Sequence, residues 1–311
     1  MKKILVVYYS QSGQLKRILD SLLSPMIENS EVEVTFEALK PVNDYPFPWS
    51  SYEFCDALPE SILDIPCDLE PLQCDTNTEY DLIILGYTIW FLAPSIPVNS
   101  FLQSKQAKIL MKNKPVMTVI GCRNMWVYSQ ETVKKAIHRN KGILTGNIVL
   151  KDRVLNLIGI WSMAYWLLSG KKRRFFNILP KPGISEEDIA GASKFGNLIA
   201  PKLNEPCDFR IDQQVLNLDG AVEVDPTLVM MEKRITRLFT IWANFILKKG
   251  KAGDKKRRRR VRGFFYYLLF VLIFILPVIT IIGGISKLFR RPKNKEELKY
   301  YASNELQTKH I

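Results

Sequence analysis

Ser10, Ser12 and Gly13 are the residues whose types and spacing speak most directly of chemistry, in the stretch Ser10-Gln11-Ser12-Gly13-Gln14-Leu15. Two hydroxyls and a glycine share a short turn with no bulky side chain, and the turn opens a helix. Free backbone N–H groups at such a start, the positive end of the helix dipole and the hydroxyls together suit a phosphate. The same residues also suit a plain helix cap, with Gly13 relieving a tight turn. Two further stretches gather unusual side chains. Residues 87–97, with Tyr87, Thr88, Ile89, Trp90 and Phe91, are too apolar for an ordinary surface loop, and large aromatics there need something flat or greasy to pack on. Residues 121–128 bring together Cys122, Arg123, Asn124, Trp126 and Tyr128, mixing polar donors with aromatic rings.

The elements that must position these residues are legible as an alternation. Residues 3–9 form an apolar, β-branched run of the kind buried on both faces of a parallel sheet. Leu15, Ile18, Leu19, Leu22 and Leu23 then recur at helical spacing. A second strand is expected over residues 32–36, nearer the sheet edge because one face stays polar. Third, fourth and fifth strands are expected over 80–86, 115–121 and 143–150, with helices from 98–103 and 131–137 between them. This rhythm predicts a doubly wound five-stranded parallel sheet with right-handed crossovers. In such sheets a ligand lies beyond the carboxyl ends of the strands at the topological switch point. All three unusual stretches follow strands at that edge, one offering phosphate donors and two offering aromatic walls. Their convergence favours a planar, phosphorylated cofactor.

Residues 41–79 differ from the rest, with six prolines and the aromatics Tyr45, Phe47, Trp49, Tyr52 and Phe54 among many acids. They describe a long connection with at most short helical turns, whose rings either cover a ligand or staple the loop down. The five cysteines form no CxxC pair and have no histidine at ligand spacing, which speaks against a zinc site and favours reduced thiols. The formal charge of +13 is unevenly spread. Residues 1–150 hold 14 Lys+Arg against 16 Asp+Glu, whereas the remainder holds 30 against 15.

That second half carries the membrane features. Residues 154–170 run without a charge and end on Lys171-Lys172-Arg173-Arg174, as expected for a segment in the membrane interface, a cover over the substrate's route, or a helix against the core. A helix is expected over 227–249. Next come the basic cluster Lys255 to Arg262 and the uncharged residues 263–286, about 36 Å of helix at ~1.5 Å per residue, more than a hydrocarbon core of roughly 30 Å. A single transmembrane helix is the direct reading, with the catalytic domain cytoplasmic at the cell inner membrane and a short charged tail, 287–311, beyond. Pro277, Gly283 and Gly284 could instead bend the segment into a re-entrant hairpin. Against an apolar span, the basic cluster suits anionic lipid head groups better than nucleic acid. The expected units are 1–203, with insertions at 41–79 and 153–180, then an amphipathic helix and basic linker over 204–262, then the span and the tail.

The hydroxyl-glycine turn and the two strand-end loops resemble the flavodoxin-like family, in which such a turn grips the phosphate of FMN and the loops flank its isoalloxazine ring. The resemblance implies a flavodoxin-like α/β fold over roughly residues 1–200, closed by a helix within 186–203. It implies FMN held by Ser10, Ser12 and Gly13 with the backbone of Gln11, Gln14 and Leu15. Thr88, Ile89, Trp90 and Phe91 fall at one ring wall, and Cys122, Arg123, Asn124 and Trp126 at the other. Leu15 stands where the family commonly has a hydroxyl. Within that family, the opening KKILVVYYSQSGQL, the segment GYTIWFLAPSIPVNSFL, the turn GCRNMW and the apolar tail resemble the bacterial dialkylresorcinol condensing enzymes of flexirubin-type pigment biosynthesis.

Condensation of acyl thioesters ordinarily needs a cysteine helped by histidine, and the only histidines, His138 and His310, are not placed to help. A flavin better suits the following step, oxidative aromatisation of a 2,5-dialkylcyclohexane-1,3-dione to a dialkylresorcinol. Arg123 or Asn124 would then steady the enolate oxygen, and Tyr87 or Tyr128 would relay the proton. The expected partners are a hydrophobic small-molecule substrate, an anionic membrane and other enzymes of the pathway. The competing functions are a membrane-tethered one-electron carrier and an NAD(P)H-dependent quinone reductase.

Overall fold

The computed structural model describes residues 1–28, 31–154, 156–174, 180–203, 209, 211–278 and 295–306, with the side chains of 156 and 157 left aside. Cys207, Gly283, Gly284, His310, residues 279–286 of the expected span and much of the expected tail lie outside this set. The element order begins β1 Lys2–Tyr8, α1 Gln14–Ile27, β2 Val32–Ala38, α2 Ser51–Asp56, α3 Leu58–Ile62, β3 Leu82–Trp90 and β4 Ala93–Pro94. It continues with α4 Ile96–Leu102, α5 Lys105–Met111, β5 Pro115–Cys122, α6 Val127–Arg139 and β6 Ile143–Lys151.

The parallel sheet runs β2-β1-β3-β5-β6, the flavodoxin-like order, and β4 turns back antiparallel on the end of β3. Ile4, Leu5, Val6 and Val7 are all fully buried, so both faces are covered, as a continuous apolar run requires. Successive β3 residues show what covers them. Gly86 faces Leu19 of α1, while the Tyr87 hydroxyl, on the opposite face, donates to Gln130 of α6 at 2.6 Å. The polar face expected of the second strand fits its place at the sheet edge.

β3 is longer than the apolar run at 80–86 indicated. It continues to Trp90 because Thr88, Ile89 and Trp90 are β-branched or aromatic and find a new partner in β4 through the pairs Ile89↔Pro94 and Trp90↔Ala93. Phe91 and Leu92 make the reversal with φ of 48° and 67°, a left-handed pair without glycine. The expected closing helix is divided, α8 spanning Glu186–Ala190 and α9 Ser193–Leu203. α9 packs so tightly on α1 that a Cβ on Gly196 would stand 2.1 Å from the Leu22 carbonyl oxygen. Gly196→Ala must push the two helices apart, and a loss of about 1–3 kcal/mol is expected in chemical denaturation.

The C-terminal half adds α7 Asn156–Ser169, α10 Gln213–Leu218, α11 Pro226–Leu247, α12 Arg258–Phe270 with a π turn over Val271–Ile275, and α13 Lys295–Tyr301. The continuous helix Lys255–Val278 is long and apolar enough to cross a membrane. Its base is set into the long loop, not held out toward lipid. Arg257, counted in the basic cluster, is fully buried: its Nε donates to Asp56 Oδ1 at 2.6 Å, Nη1 to Glu60 Oε1 at 2.7 Å and Nη2 to Glu60 Oε2 at 3.1 Å. Around this cluster Cys55, Leu58, Val261 and Phe264 form a second small core. Residues 41–79 therefore join the α/β domain to the base of α12, and α2 is started by a capping box of Ser50 with Glu53.

Candidate functional site at the sheet switch point

In this strand order the switch point lies between the carboxyl ends of β1 and β3. The chain leaves β1 through Tyr9 and the turn at residues 10–13, where Gly13 adopts φ 77° and α1 begins. Only glycine takes this conformation without strain, and a Cβ there would meet nothing within 4 Å. Ser10 Oγ accepts a 3.4 Å bond from the amide of Lys16. Among the described residues, the amides of Gln11, Ser12, Gly13, Gln14 and Leu15 make no hydrogen bond. Five donors at the positive end of α1 are thus left to a ligand or solvent, a row that fits a phosphate.

The side chains of the two glutamines have other work, which the sequence did not disclose. Gln11 Nε2 donates to the carbonyls of Tyr45 (3.3 Å) and Pro46 (2.8 Å), and its Oε1 accepts from Trp49 Nε1 at 3.0 Å. Gln14 pairs in both directions with the backbone of Ile184, each bond 3.2 Å. One glutamine ties the turn to the long loop; the other ties it to the chain before α8. Arg17 of α1 is held by Glu186, which also takes Lys172 at 3.3 Å.

Across the crevice, Trp90 stands with its ring centroid 5.8 Å from Tyr9, 5.0 Å from Tyr45 and 5.3 Å from Trp49, all edge-on. Thr88 pairs with Gly121 of β5 and accepts from the Ser95 amide at 2.9 Å, and Ile89 rests partly buried on the core. Phe91 turns away from the crevice. It packs on Phe54 (4.7 Å), Phe239 (5.8 Å) and Phe264 (6.3 Å), in the small core at the base of α12. Over the crevice lies α7: the Trp49 amide donates to Leu167 O at 2.8 Å, and Trp166, 7% exposed, meets Phe47 at 6.0 Å. The described part of residues 154–170 is a helix that packs on the long loop beside the switch point, with Trp161 and Leu168 left exposed. Burial pushes the hydroxyls of Tyr9 and Tyr45 far above the ordinary phenol range, so both stay protonated.

The turn after β5 is more structural. Arg123 Nη1 and Nη2 donate to the carbonyls of Asp152 (2.8 Å) and Val154 (2.5 Å), with Asp152 3.8 Å from Nε. The guanidinium lies against Gly159 of α7, where a Cβ would fall 2.1 Å from it. Arg123 therefore clamps α7 to the sheet edge. Cys122 is buried and its thiol is pushed up by burial, which leaves no thiolate. Trp126, 2% exposed, belongs to the core, as does Tyr87. Asn124 follows Arg123 in the same turn. Tyr128, its hydroxyl raised by burial, lies near Glu232, Glu297 and Arg237 on the C-terminal helices.

Glu232 of α11 is a residue that sequence reasoning passed over. Its carboxylate caps α6, accepting from the amides of Val127 (3.4 Å) and Tyr128 (2.9 Å). Burial outweighs these bonds and pushes the carboxyl up to about 7 from an ordinary 4.5. A carboxyl raised in this way stabilises the fold fully below pH 4.5, and the contribution is lost as pH rises through about 7. Between pH 5 and 8 the protein should lose about 1–3 kcal/mol relative to Glu232→Gln, read from paired denaturation midpoints at the two pH values.

A separate cavity of about 240 Å³ lies at the outer edge, lined by Lys151, Arg153, Asp188, Lys194 and Glu223. Two of its charge pairs are closed within the chain, Lys151 with Glu223 and Arg153 with Asp188.

The fold and this site define a doubly wound α/β protein of flavodoxin-like sheet order, with a helix-start cradle at its switch point and an apolar helix beyond. No family model and no curated protein matches the chain. Solved structures do. A flavoprotein from Lactobacillus acidophilus in complex with FMN is 20% identical, covering 45% of this chain and 87% of its own, with a TM-score of 0.35. A flavodoxin from the Archaea is 17% identical over 65% of this chain and 99% of its own, TM-score 0.32. A flavone reductase is 13% identical over 71% and 66%, TM-score 0.32.

Proposed function

We propose that the protein is a membrane-associated, FMN-dependent oxidoreductase that converts a 2,5-dialkylcyclohexane-1,3-dione to a dialkylresorcinol, within flexirubin-type pigment biosynthesis. The observation that carries the flavin reading is the row of unengaged amides from Gln11 to Leu15 at the switch point. These amides, with the hydroxyls of Ser10 and Ser12, would hold the FMN phosphate, and Thr88, Ile89 and Trp90 would line one side of the ring. When bound, FMN supplies a two-electron acceptor for hydride. The dione loses a hydride and a proton from adjacent ring carbons, and enolisation completes the aromatic ring.

The chain's own residues position and exclude. Arg123 is a positioning residue that fixes α7 over the crevice, and Trp166 with the rings of Tyr45 and Trp49 keeps water out. Tyr9 and Tyr45, held protonated, act as donors rather than bases. Asn124 is assigned to the enolate oxygen; Tyr128, set among Glu232, Glu297 and Arg237, takes no part in the proton transfer. Membrane association suits the substrate, because two long chains favour the bilayer by about 0.8 kcal/mol for each buried CH2.

The test uses the full chain extracted from membranes. It should carry flavin absorption and, under air, convert a synthetic dialkylcyclohexanedione to the resorcinol. A preparation that stays colourless after incubation with FMN rules out the cofactor, and a flavin-loaded protein that leaves the dione untouched rules out the reaction. Oxidation of NADPH with a quinone, and none of the dione, would assign a quinone reductase instead.

A further inference from the structure

We propose that α7 lies in the head-group layer of an anionic bilayer, with its outer stripe of Ile158, Trp161, Tyr165 and Leu168 set against lipid. The proposal rests on the membrane reading above and deepens it, because it adds a second contact that the long apolar helix does not supply.

The buried and exposed residues of α7 fall on opposite stripes. Gly159, Ser162 and Trp166, at i, i+3 and i+7, are buried on the protein side. That side is held near both ends: Arg123 lies against Gly159, and the Leu167 carbonyl accepts from the Trp49 amide at 2.8 Å. The other stripe looks outward, with Ile158 37%, Trp161 38% and Leu168 45% exposed and Tyr165 half-buried between them. An ordinary surface helix is polar on such a face. This one carries no charge on any side from Leu155 to Gly170. A helix apolar all round belongs in a core or in lipid, and the core that takes the inner stripe leaves the outer one open.

Length decides how such a helix meets a membrane. Its 14 residues reach about 21 Å at ~1.5 Å each, short of a hydrocarbon core of roughly 30 Å, so α7 does not cross. With one stripe bound to protein it lies along the boundary, at the depth where tryptophan and tyrosine concentrate. The inner stripe meets the long loop beside the switch point, so the crevice stands one helix away from the lipid surface.

Charge identifies the surface as anionic lipid. The sequence holds no acid from Arg153 to Ser185, and α7 ends on a run of four cations. Lys172 is taken by Glu186, whereas Lys171, Arg173 and Arg174 are exposed and meet no acid among the described residues. Arg173 instead donates from Nε to the Tyr165 hydroxyl at 3.1 Å, which ties the basic end to the outer stripe. An apolar partner helix or a second copy would match the row of rings but not these cations; anionic head groups above acyl chains match both.

Six tryptophans share the emission, so the experiment takes the difference between the full chain and Trp161→Phe, each reconstituted in vesicles of phosphatidylglycerol and phosphatidylcholine. The lipids carry bromine either high or low on their acyl chains. Emission from Trp161 should be quenched by bromine near the head group, less by bromine at the chain ends, and little by acrylamide in the water. Emission that acrylamide quenches and brominated lipid does not overturns the proposal, because the stripe then faces water. Emission that neither quenches also overturns it, because protein, a second copy included, then covers the stripe. Both results can arise while the chain still sediments with the vesicles through its long helix, whereas a chain that does not sediment overturns the membrane reading itself. The variant with Lys171→Gln, Arg173→Gln and Arg174→Gln should lose quenching at Trp161 when phosphatidylglycerol is present. Equal quenching of the parent in vesicles of phosphatidylcholine alone overturns the anionic assignment.

Discussion

Arg257→Ala should destabilise the protein by about 3–5 kcal/mol, the largest stability effect expected from any single side chain described above. The guanidinium is fully buried, and it is the partner of Asp56 and Glu60, whose side chains are only about a tenth exposed. Removing it leaves two carboxylates in a site that water scarcely reaches, and the loss is mainly the cost of those unpaired charges rather than of the bonds themselves. Arg257→Lys keeps the charge but not the fork that serves both acids, so a smaller loss is expected. Replacing the whole cluster at once, with Arg257→Met, Asp56→Asn and Glu60→Gln, should cost far less than alanine alone, since no charge is then left unpaired. Denaturant midpoints of the four proteins in the same detergent decide the matter. If the triple variant is as weak as Arg257→Ala, the buried charges are not the cause.

Ser12→Asp should weaken FMN binding by about 100-fold or more, because a like charge set against a phosphate costs several kcal/mol and every 1.4 kcal/mol is tenfold. Ser12 is exposed and its side chain makes no hydrogen bond within the described protein, so the fold should not change. Ser12→Ala removes one bond to an anion and should cost only about tenfold. Quenching of FMN fluorescence on titration measures both. Equal affinity for Ser12→Asp and the parent would mean that the phosphate is not at this turn.

The parts of this molecule that could be read in advance are those set by short-range pattern. The strands at Ile4 to Val7 and Leu82 to Leu85 are continuous apolar runs because both faces are covered, and α1 shows its buried face every three or four residues. The end of β3 was hidden because its last residues owe their strand form to β4, a partner that exists only after the chain has reversed at Phe91 and Leu92. Trp90 and Phe91 looked like two members of one wall. The strand ends at Trp90, which stays at the crevice, and the left-handed turn at Phe91 carries the next ring to the base of α12. Glu232 and Arg257 were unreadable for another reason. Glu232 accepts from the Tyr128 amide 104 residues away and Arg257 donates to Glu60 197 residues away, and an isolated charge in a helix carries no mark of what it will meet. The side chain of Arg123 looked available for a ligand because arginine is a donor wherever it stands. Its actual acceptors are the backbone carbonyls of Asp152 and Val154, which no residue type announces.

The rings of the two small clusters are not separate. Tyr9 touches Trp90, Trp90 touches Trp49, Trp49 touches Phe54, Phe54 touches Phe91, and Phe91 reaches Phe264, which lies beside Trp242. Indole emission from this protein is consequently a shared optical signal: a spectral shift registers loosening at the turn of residues 10–13 and at the base of the long apolar helix alike, and the two are told apart only by removing one indole at a time.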